Sequence, residues 1–230
     1  MKLTKINSRF EIYISDQKNA EFNAPTIRIN NLKFYRFMDR LYIPDRVYKL
    51  STSYVKEVNN IREEYALKII DKEYNDRIIS QSLNYLSTQD HSKKMTVLDF
   101  GCGYGYAGHQ IKSEFDDSML FGYDIRKPKE RKLLKIYSDV AFSDINSKMP
   151  YSNDMFDIIL AYFVFQFFIP DFQLAEINRI LKPNGVLFIN LINSADDLIR
   201  EHISTHGFEH YNTQKYTTKK IKGTDIFIER

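Results

Sequence analysis

Glycine is scarce in this 230-residue chain: it occurs eight times and not once in the first hundred residues. Half of the glycines fall within 97-VLDFGCGYGYAG-108, so this stretch is a local demand for bare backbone rather than a composition showing through. Cysteine occurs once, as Cys102, which excludes an internal disulfide, and with no Cys/His cluster of zinc-ligand spacing the sequence offers no metal site. Both features suit a reducing compartment. No apolar run approaches the roughly 18 residues a spanning helix needs. The opening MKLTKINSRF is basic but lacks the apolar centre of a signal peptide. A soluble, cytoplasmic protein without membrane association is expected. Excess charge is equally slight: 33 Lys+Arg against 30 Asp+Glu give +3. A field that weak does not indicate nucleic-acid binding.

What is present divides by texture near residue 95. Before it, residues 9–14 and 26–37 alternate polar and apolar at period two, as a small hairpin or irregular arm would. From Tyr54 the apolar positions Tyr54, Val58, Ile61, Tyr65 and Ile69, then Ile78, Ile79, Leu83 and Leu86, recur at three and four, the spacing of amphipathic helices. The N-terminal third therefore reads as mainly helical. After Lys94, short apolar runs at 95–100, 120–124, 140–144, 156–163 and 185–191 alternate with helical segments, and residues 208–230 read as two further strands with a turn at Lys222 and Gly223. Strands alternating with helices predict a parallel, right-handedly wound α/β sheet.

A strand, a glycine loop and a helix carrying His109, Ile111 and Phe115 aim backbone N–H groups and a helix N-terminus at a ligand. Gly103, Gly105 and Gly108 spell G-x-G-x-x-G, with Asp124 some 20 residues on, as in dinucleotide sites. Asp99 speaks against that reading, because it ends the strand where a pyrophosphate would sit, and like charges at close range repel. An acid there suits a ligand carrying positive charge.

From about Met95 to Leu191 the chain resembles the class I S-adenosylmethionine-dependent methyltransferases. Asp99, Gly101, Gly103 and Gly105 stand as the D-x-G-x-G-x-G signature, 149-MPYSNDMFDIILAYFVFQF-167 is similar to the family's L-P-F-x-x-x-x-F-D-x-V segment, and 179-RILKPNGVLFI-189 to its R-x-L-K-P-G-G-x-L-x-I. The resemblance implies a Rossmann-like, doubly wound, mostly parallel seven-stranded sheet with helices on both faces. Residues 95–230 would form this core and residues 1–94 an N-terminal arm and helical cap, together one compact unit. It further implies that S-adenosylmethionine is held by Asp99, Phe100, Gly101, Cys102, Gly103 and Gly105 in the loop, and by Asp124 with Ile125, whose carboxylate would take both ribose hydroxyls. Asp144 with Ile145 would bracket the adenine, and Ala161 with Tyr162 would follow the fourth strand. Asn184 replaces the first glycine of the K-P-G-G turn, a position that asparagine tolerates. Phe167 stands where many relatives carry a histidine. The short segment between Asp124 and Asp144 predicts a brief helix.

Methyl transfer is an in-line displacement, so a base is needed only for an acceptor that arrives protonated. By type, His202, His206, His210 and the tyrosines could serve, and no residue is singled out as catalytic. Cys102 reads as a small packed residue. The aromatic run Tyr162, Phe163, Phe165, Phe167 and Phe168 is divided between core and pocket lining. The resemblance also suggests that the N-terminal Tyr35, Arg36, Arg40, Tyr42, Arg46, Tyr48 and Tyr54 form a lid that could clamp an anionic acceptor or stack RNA bases. Neither an N-P-P-[YF] motif at 161-AYFV-164 nor a Pro-Cys nucleophile is present, which disfavours adenine or glutamine N-methylation and cytosine C5-methylation. The expected function is transfer of a methyl group to oxygen or nitrogen of a small molecule. An RNA or protein methyltransferase, a nicotinamide-dependent oxidoreductase and a non-catalytic binding subunit stand as alternatives.

Overall fold

The computed structural model describes residues 2–7, 9–16, 26–38, 40–45, 49, 51–65, 67, 72–88, 94–128, 132–165, 167–191, 196–214 and 224–229. Its first 44 residues correct the mainly helical expectation. Those among them that are described hold five strands, β1 (Leu3–Asn7), β2 (Ile12–Ser15), β3 (Thr26–Ile29), β4 (Leu32–Met38) and β5 (Leu41–Pro44), in one antiparallel sheet of order β1-β2-β5-β4-β3. The period-two stretches at 9–14 and 26–37 do fall on strands, but at the β3–β4 turn asparagine does what glycine usually does. Asn30 and Asn31, between the paired Ile29 and Leu32, have φ of +48° and +65°, the two left-handed residues of a two-residue hairpin turn. Helices follow only afterwards, α1 (Thr52–Glu64) and α2 (Lys72–Leu86). The Ser51 hydroxyl caps α1 by accepting from the Tyr54 N–H at 3.3 Å, and Tyr54, Val58 and Ile61 form its buried face.

The second sheet contains β6 (Thr96–Phe100), β7 (Met119–Asp124), β8 (Asp139–Phe142), β9 (Phe156–Ala161), β10 (Leu181–Asn190), β11 (Phe208–Gln214) and β12 (Thr224–Glu229), in the order β11-β12-β10-β9-β6-β7-β8. The five from β10 to β8 are mutually parallel, and β12 is antiparallel to both its neighbours. Between them run α3 (Tyr106–Glu114), α4 (Asp171–Ile180) and α5 (Asp196–Ser204). Among the described residues between β7 and β8 the one helical element is a 3-10 turn at Lys132–Ile136, the brief helix the spacing predicts. The turn expected at Lys222 and Gly223 lies outside the described residues, as do Ile69, Arg46 and Tyr48.

Continuous apolar runs make strands that are buried on both faces. Leu98, Phe121, Ile159 and Leu187 pack with α1, α4 and α5, while their chain neighbours Val97, Leu120, Ile158 and Phe188 pack with α2 and α3. Ile12, Ile14, Tyr35, Leu41 and Ile43 of the N-terminal sheet belong to the first of these clusters. Tyr35, Tyr42 and Tyr54 are thus core residues. Arg40 donates to the Tyr65 carbonyl at 3.0 Å, tying the small sheet to the end of α1.

A half-buried cation in the last turn of α4 fixes the segment that leads into β9. The Arg179 guanidinium forks onto Glu176 at 2.8 and 2.7 Å and donates to the carbonyls of Met149 and Tyr151. Asn184 sits at φ +61°, the left-handed conformation that asparagine accepts. β6 lies between β7 and β9, so the chain order reverses at its carboxyl end, and a crevice opens there.

Candidate functional site

That crevice is a cavity of about 330 Å³. The glycine loop forms its floor. The N–H groups of Gly101 and Cys102 both donate to the Tyr123 carbonyl at 2.8 and 3.1 Å, which folds the loop back onto β7. Gly101 has φ +82°, and a Cβ on it would lie 2.4 Å from Val164 Cγ2, so only glycine lets the segment after β9 close against the loop. Gly103 opens onto free space instead: a Cβ there would meet nothing nearer than 3.9 Å. The N-cap of α3, Gly105, has no side chain to cap the helix, and in its first turn the Gly108 N–H is taken by the Asp99 carboxylate.

Three acids were expected at the strand ends, and the structure places them differently. Asp99 lines the cavity yet is 2% exposed, and Tyr137 donates its hydroxyl to Asp99 Oδ2 at 2.5 Å. Burial pushes the Asp99 carboxyl up to about 7, against the opposing pull of the Tyr137 hydrogen bond. Asp124 also lines the cavity, accepting from the Gly103 N–H at 2.8 Å and the Arg126 N–H at 2.9 Å. Burial raises its pKa and those N–H groups lower it. Asp144 is exposed and outside the lining. It accepts from the Asn146 N–H at 3.0 Å and the Thr52 hydroxyl at 2.8 Å, hydrogen bonds that hold its pKa low. Phe100, Gly101, Cys102, Gly103, Ile125 and Tyr162 line the cavity, whereas Gly105, Ile145 and Ala161 do not, Ile145 being buried in the core.

The strand β9 stops at Ala161, two residues short of the apolar run at 156–163, so the aromatic run beyond it leaves the sheet. Tyr162, Phe163 and Phe167 turn to the cavity, Phe165 is core, and Phe168 stacks on His202 with ring centroids 3.9 Å apart. Phe163 has φ +60°, an uncommon conformation for an aromatic residue, and its N–H donates to the buried Asn190 side chain at 2.6 Å. Tyr162 shares a short hydrogen bond with Ser82 of α2.

α1 and α2 form the rest of the wall. Val55 and Arg62 of α1 lie two turns apart on a stripe beside its core face, and Arg62 stands over the Tyr104 ring at 4.5 Å. α1 is tied to the sheet's edge by Thr52 at Asp144 and by Glu63, which pairs with Arg126 at 3.0 Å. Ile79 of α2 lines the cavity, and Asp76 accepts from Tyr106 and Gln110 of α3 at 2.6 and 2.5 Å. Sequence reasoning missed Val55, Arg62, Ile79, Tyr104, Tyr106 and Tyr137. The helical spacing of Val55 and Arg62 was the available signal. The arginines and tyrosines expected to form a lid are absent from the described lining, as are the three histidines among the candidate bases: His202 faces the Ile169 carbonyl, His206 bonds the His202 carbonyl, and His210 lies on β11, whereas the tyrosines Tyr104, Tyr106, Tyr123 and Tyr162 do line the cavity.

A family model described as a methyltransferase domain matches residues 91–227. The chain is similar to an uncharacterized protein of Methanocaldococcus jannaschii, 30% identical over 130 residues that cover 56% of this chain and 54% of that protein. It is also similar to the malonyl-[acyl-carrier protein] O-methyltransferase of Herminiimonas arsenicoxydans, 28% identical over 116 residues, covering 48% and 42%. The chain spans about half the length of the curated relatives it matches. In fold it resembles a chain of the complex between the Haloferax volcanii Trm112 methyltransferase activator and a methyltransferase, with a TM-score of 0.51 at 16% identity over 69% of this chain and 92% of that one.

Proposed function

The chain belongs to the class I S-adenosylmethionine-dependent methyltransferase family, and from that premise we propose that its cavity transfers a methyl group to an oxygen or nitrogen of a small-molecule acceptor. The residues present fit the donor. Two carboxylates, Asp99 and Asp124, flank bare backbone at Gly103 that leaves open space beside it, a donor set matched to a positively charged ligand with vicinal hydroxyls. When bound, S-adenosylmethionine supplies a methyl group already activated on cationic sulfur. The protein's part is to bind, to align and to exclude water. Asp124 would hold the ribose, the glycine loop and Asp99 the charged end, and Phe163, Val164 and Phe167 a dry wall across which the acceptor is presented.

The observation that carries the choice of acceptor is the lack of a poised base among the described lining residues other than Asp99 and Asp124, the two acids assigned to the donor. Burial pushes the Tyr106 hydroxyl up to about 12, with Asp76 adding to the effect, and burial also raises Tyr162. The described histidines lie elsewhere. An acceptor served by this site arrives already deprotonated, as a carboxylate oxygen or a neutral amine does. Arg62, the one cation among the described lining residues, gives a carboxylate its counter-charge. The test is transfer of labelled methyl from S-adenosylmethionine to panels of small carboxylic acids and amines, in parallel with RNA and protein. Label in the small molecules is expected, with Arg62→Ala lowering turnover of the acids by about tenfold, the loss of one charged hydrogen bond. Label only in RNA or protein would overturn the reading.

A further inference from the structure

Tyr137 belongs to none of the motifs that mark the site, yet it reaches the site's centre from beneath. The 3-10 turn before β8 delivers its ring, 7% exposed, under the start of α3. The fit is close: a Cβ on Gly108 would lie 2.2 Å from the Tyr137 hydroxyl oxygen and 2.4 Å from Cζ, and one on Gly122 would lie 3.3 Å from its Cδ1. From there the hydroxyl donates to Asp99 Oδ2, and the Gly108 N–H also holds the same carboxylate.

We propose that Tyr137 is a positioning residue of the methyl-donor site, its hydroxyl fixing the Asp99 carboxylate under the glycine loop so that the acid meets the donor's positive charge in a set orientation. The proposal rests on the methyltransferase reading. The titratable groups that act on Asp99 are Tyr137 and Asp124, and Asp99 in turn acts on Cys102 and Tyr162; no cation is among them. A buried acid beside a second acid and without a cation is costly to ionise, so the positive partner has to come from the ligand.

The sign follows from burial. The Asp99 carboxyl is raised from its ordinary 3.8 to about 7, so between those values the free protein holds a proton that the unfolded chain has lost, and Asp99 makes its stability fall as pH rises through that window. A bound cation favours the ionised acid, so donor affinity climbs as pH rises towards about 7 and levels off above it. The Tyr137 hydrogen bond lowers the Asp99 pKa, and removing it moves the climb to higher pH.

The experiment is calorimetric titration of S-adenosylmethionine, from about pH 6 to about pH 9, into the wild type, Tyr137→Phe and Asp99→Asn. Tyr137→Phe keeps the ring and is expected to bind about tenfold more weakly at neutral pH, with its climb displaced upward by about one pH unit and affinity recovering at the alkaline end. Asp99→Asn is expected to lose the climb altogether. Should Tyr137→Phe fail to fold, 3-fluorotyrosine placed at 137 by amber suppression, a stronger donor of the same shape, moves the climb to lower pH. A Phe variant with the wild-type midpoint, a loss equal at every pH, or a fluorotyrosine protein with an unmoved midpoint would each overturn the proposal. Failure of the wild type to bind the donor at any pH would instead sink the methyltransferase reading.

Discussion

Replacing Asp124 by alanine is expected to weaken S-adenosylmethionine binding by at least about a hundredfold. The carboxylate would accept two ribose hydroxyls, and hydrogen bonds to a charged partner contribute about 1.5–3 kcal/mol each, so losing both removes about 3 kcal/mol at the low end, which is about two factors of ten. In the free protein the same two oxygens already accept from the Gly103 and Arg126 N–H groups, so alanine also leaves two loop donors without acceptors. Asp124→Asn separates these effects, since its one carbonyl oxygen can hold part of the loop but cannot match a carboxylate towards two hydroxyls. Its affinity should fall between the two, with a melting temperature nearer the wild type. Calorimetry together with thermal melts checks both. Alanine binding within about threefold of the wild type would mean that Asp124 shapes the loop and does not read the ligand.

Gly108→Ala inverts the usual rule for a helix. Exchanging glycine for alanine within a helix ordinarily stabilises by up to about 1 kcal/mol. Gly108 is helical, in the first turn of α3, but its missing Cβ is the space occupied by the Tyr137 ring. Either the ring moves out of a packed core or α3 lifts from the sheet. Overpacking costs about 1–3 kcal/mol, and a lost bond to Asp99 adds about as much, so destabilisation of about 3 kcal/mol is expected, a fall in melting temperature of roughly 6–12 °C for a chain of this size. Since the cause is one contact, the double variant Gly108→Ala with Tyr137→Leu should be less damaged than the sum of the two singles. A Gly108→Ala protein as stable as the wild type would show that the ring relaxes freely, and would weaken the case for Tyr137 as a fixed support.

Gly108 also shows how the sequence could mislead. As the third glycine of G-x-G-x-x-G it read as part of a dinucleotide fingerprint, whereas the structure gives it another task, to admit a tyrosine from a turn nearly 30 residues later. Spacing within the loop reports that bare backbone is wanted, not what comes close to it. The parallel core was legible because its strands are continuous apolar runs bounded by breakers, and the acids at the ends of β6 and β7 line the cavity where those runs stop. Asp144 shows the limit of that logic: ending the next apolar run did not bring it to the cavity, since Thr52 and Asn146 engage it at the surface. The N-terminal sheet was legible only in part: the period-two stretches at 9–14 and 26–37 mark strands, but left-handed asparagines at the β3–β4 turn give no glycine signal for the hairpin, and the helical periodicity after Tyr54 points the rest of that third towards helix. The spacing of Val55 and Arg62 puts them on one stripe of α1, but that this stripe and Ile79 face the cavity depends on how α1 and α2 lie on the core, a tertiary fact beyond periodicity within one helix.

The central claim is that the glycine loop and its two acids hold a cationic sulfonium donor. Parallel calorimetric titration of the wild-type protein with S-adenosylmethionine, S-adenosylhomocysteine and NAD tests it most directly. Binding of the first two at micromolar concentrations, with no heat from NAD, is the predicted result. Binding of NAD alone would contradict the account and leave a buried acid at the end of β6, beside a pyrophosphate, as the feature that needs a new explanation.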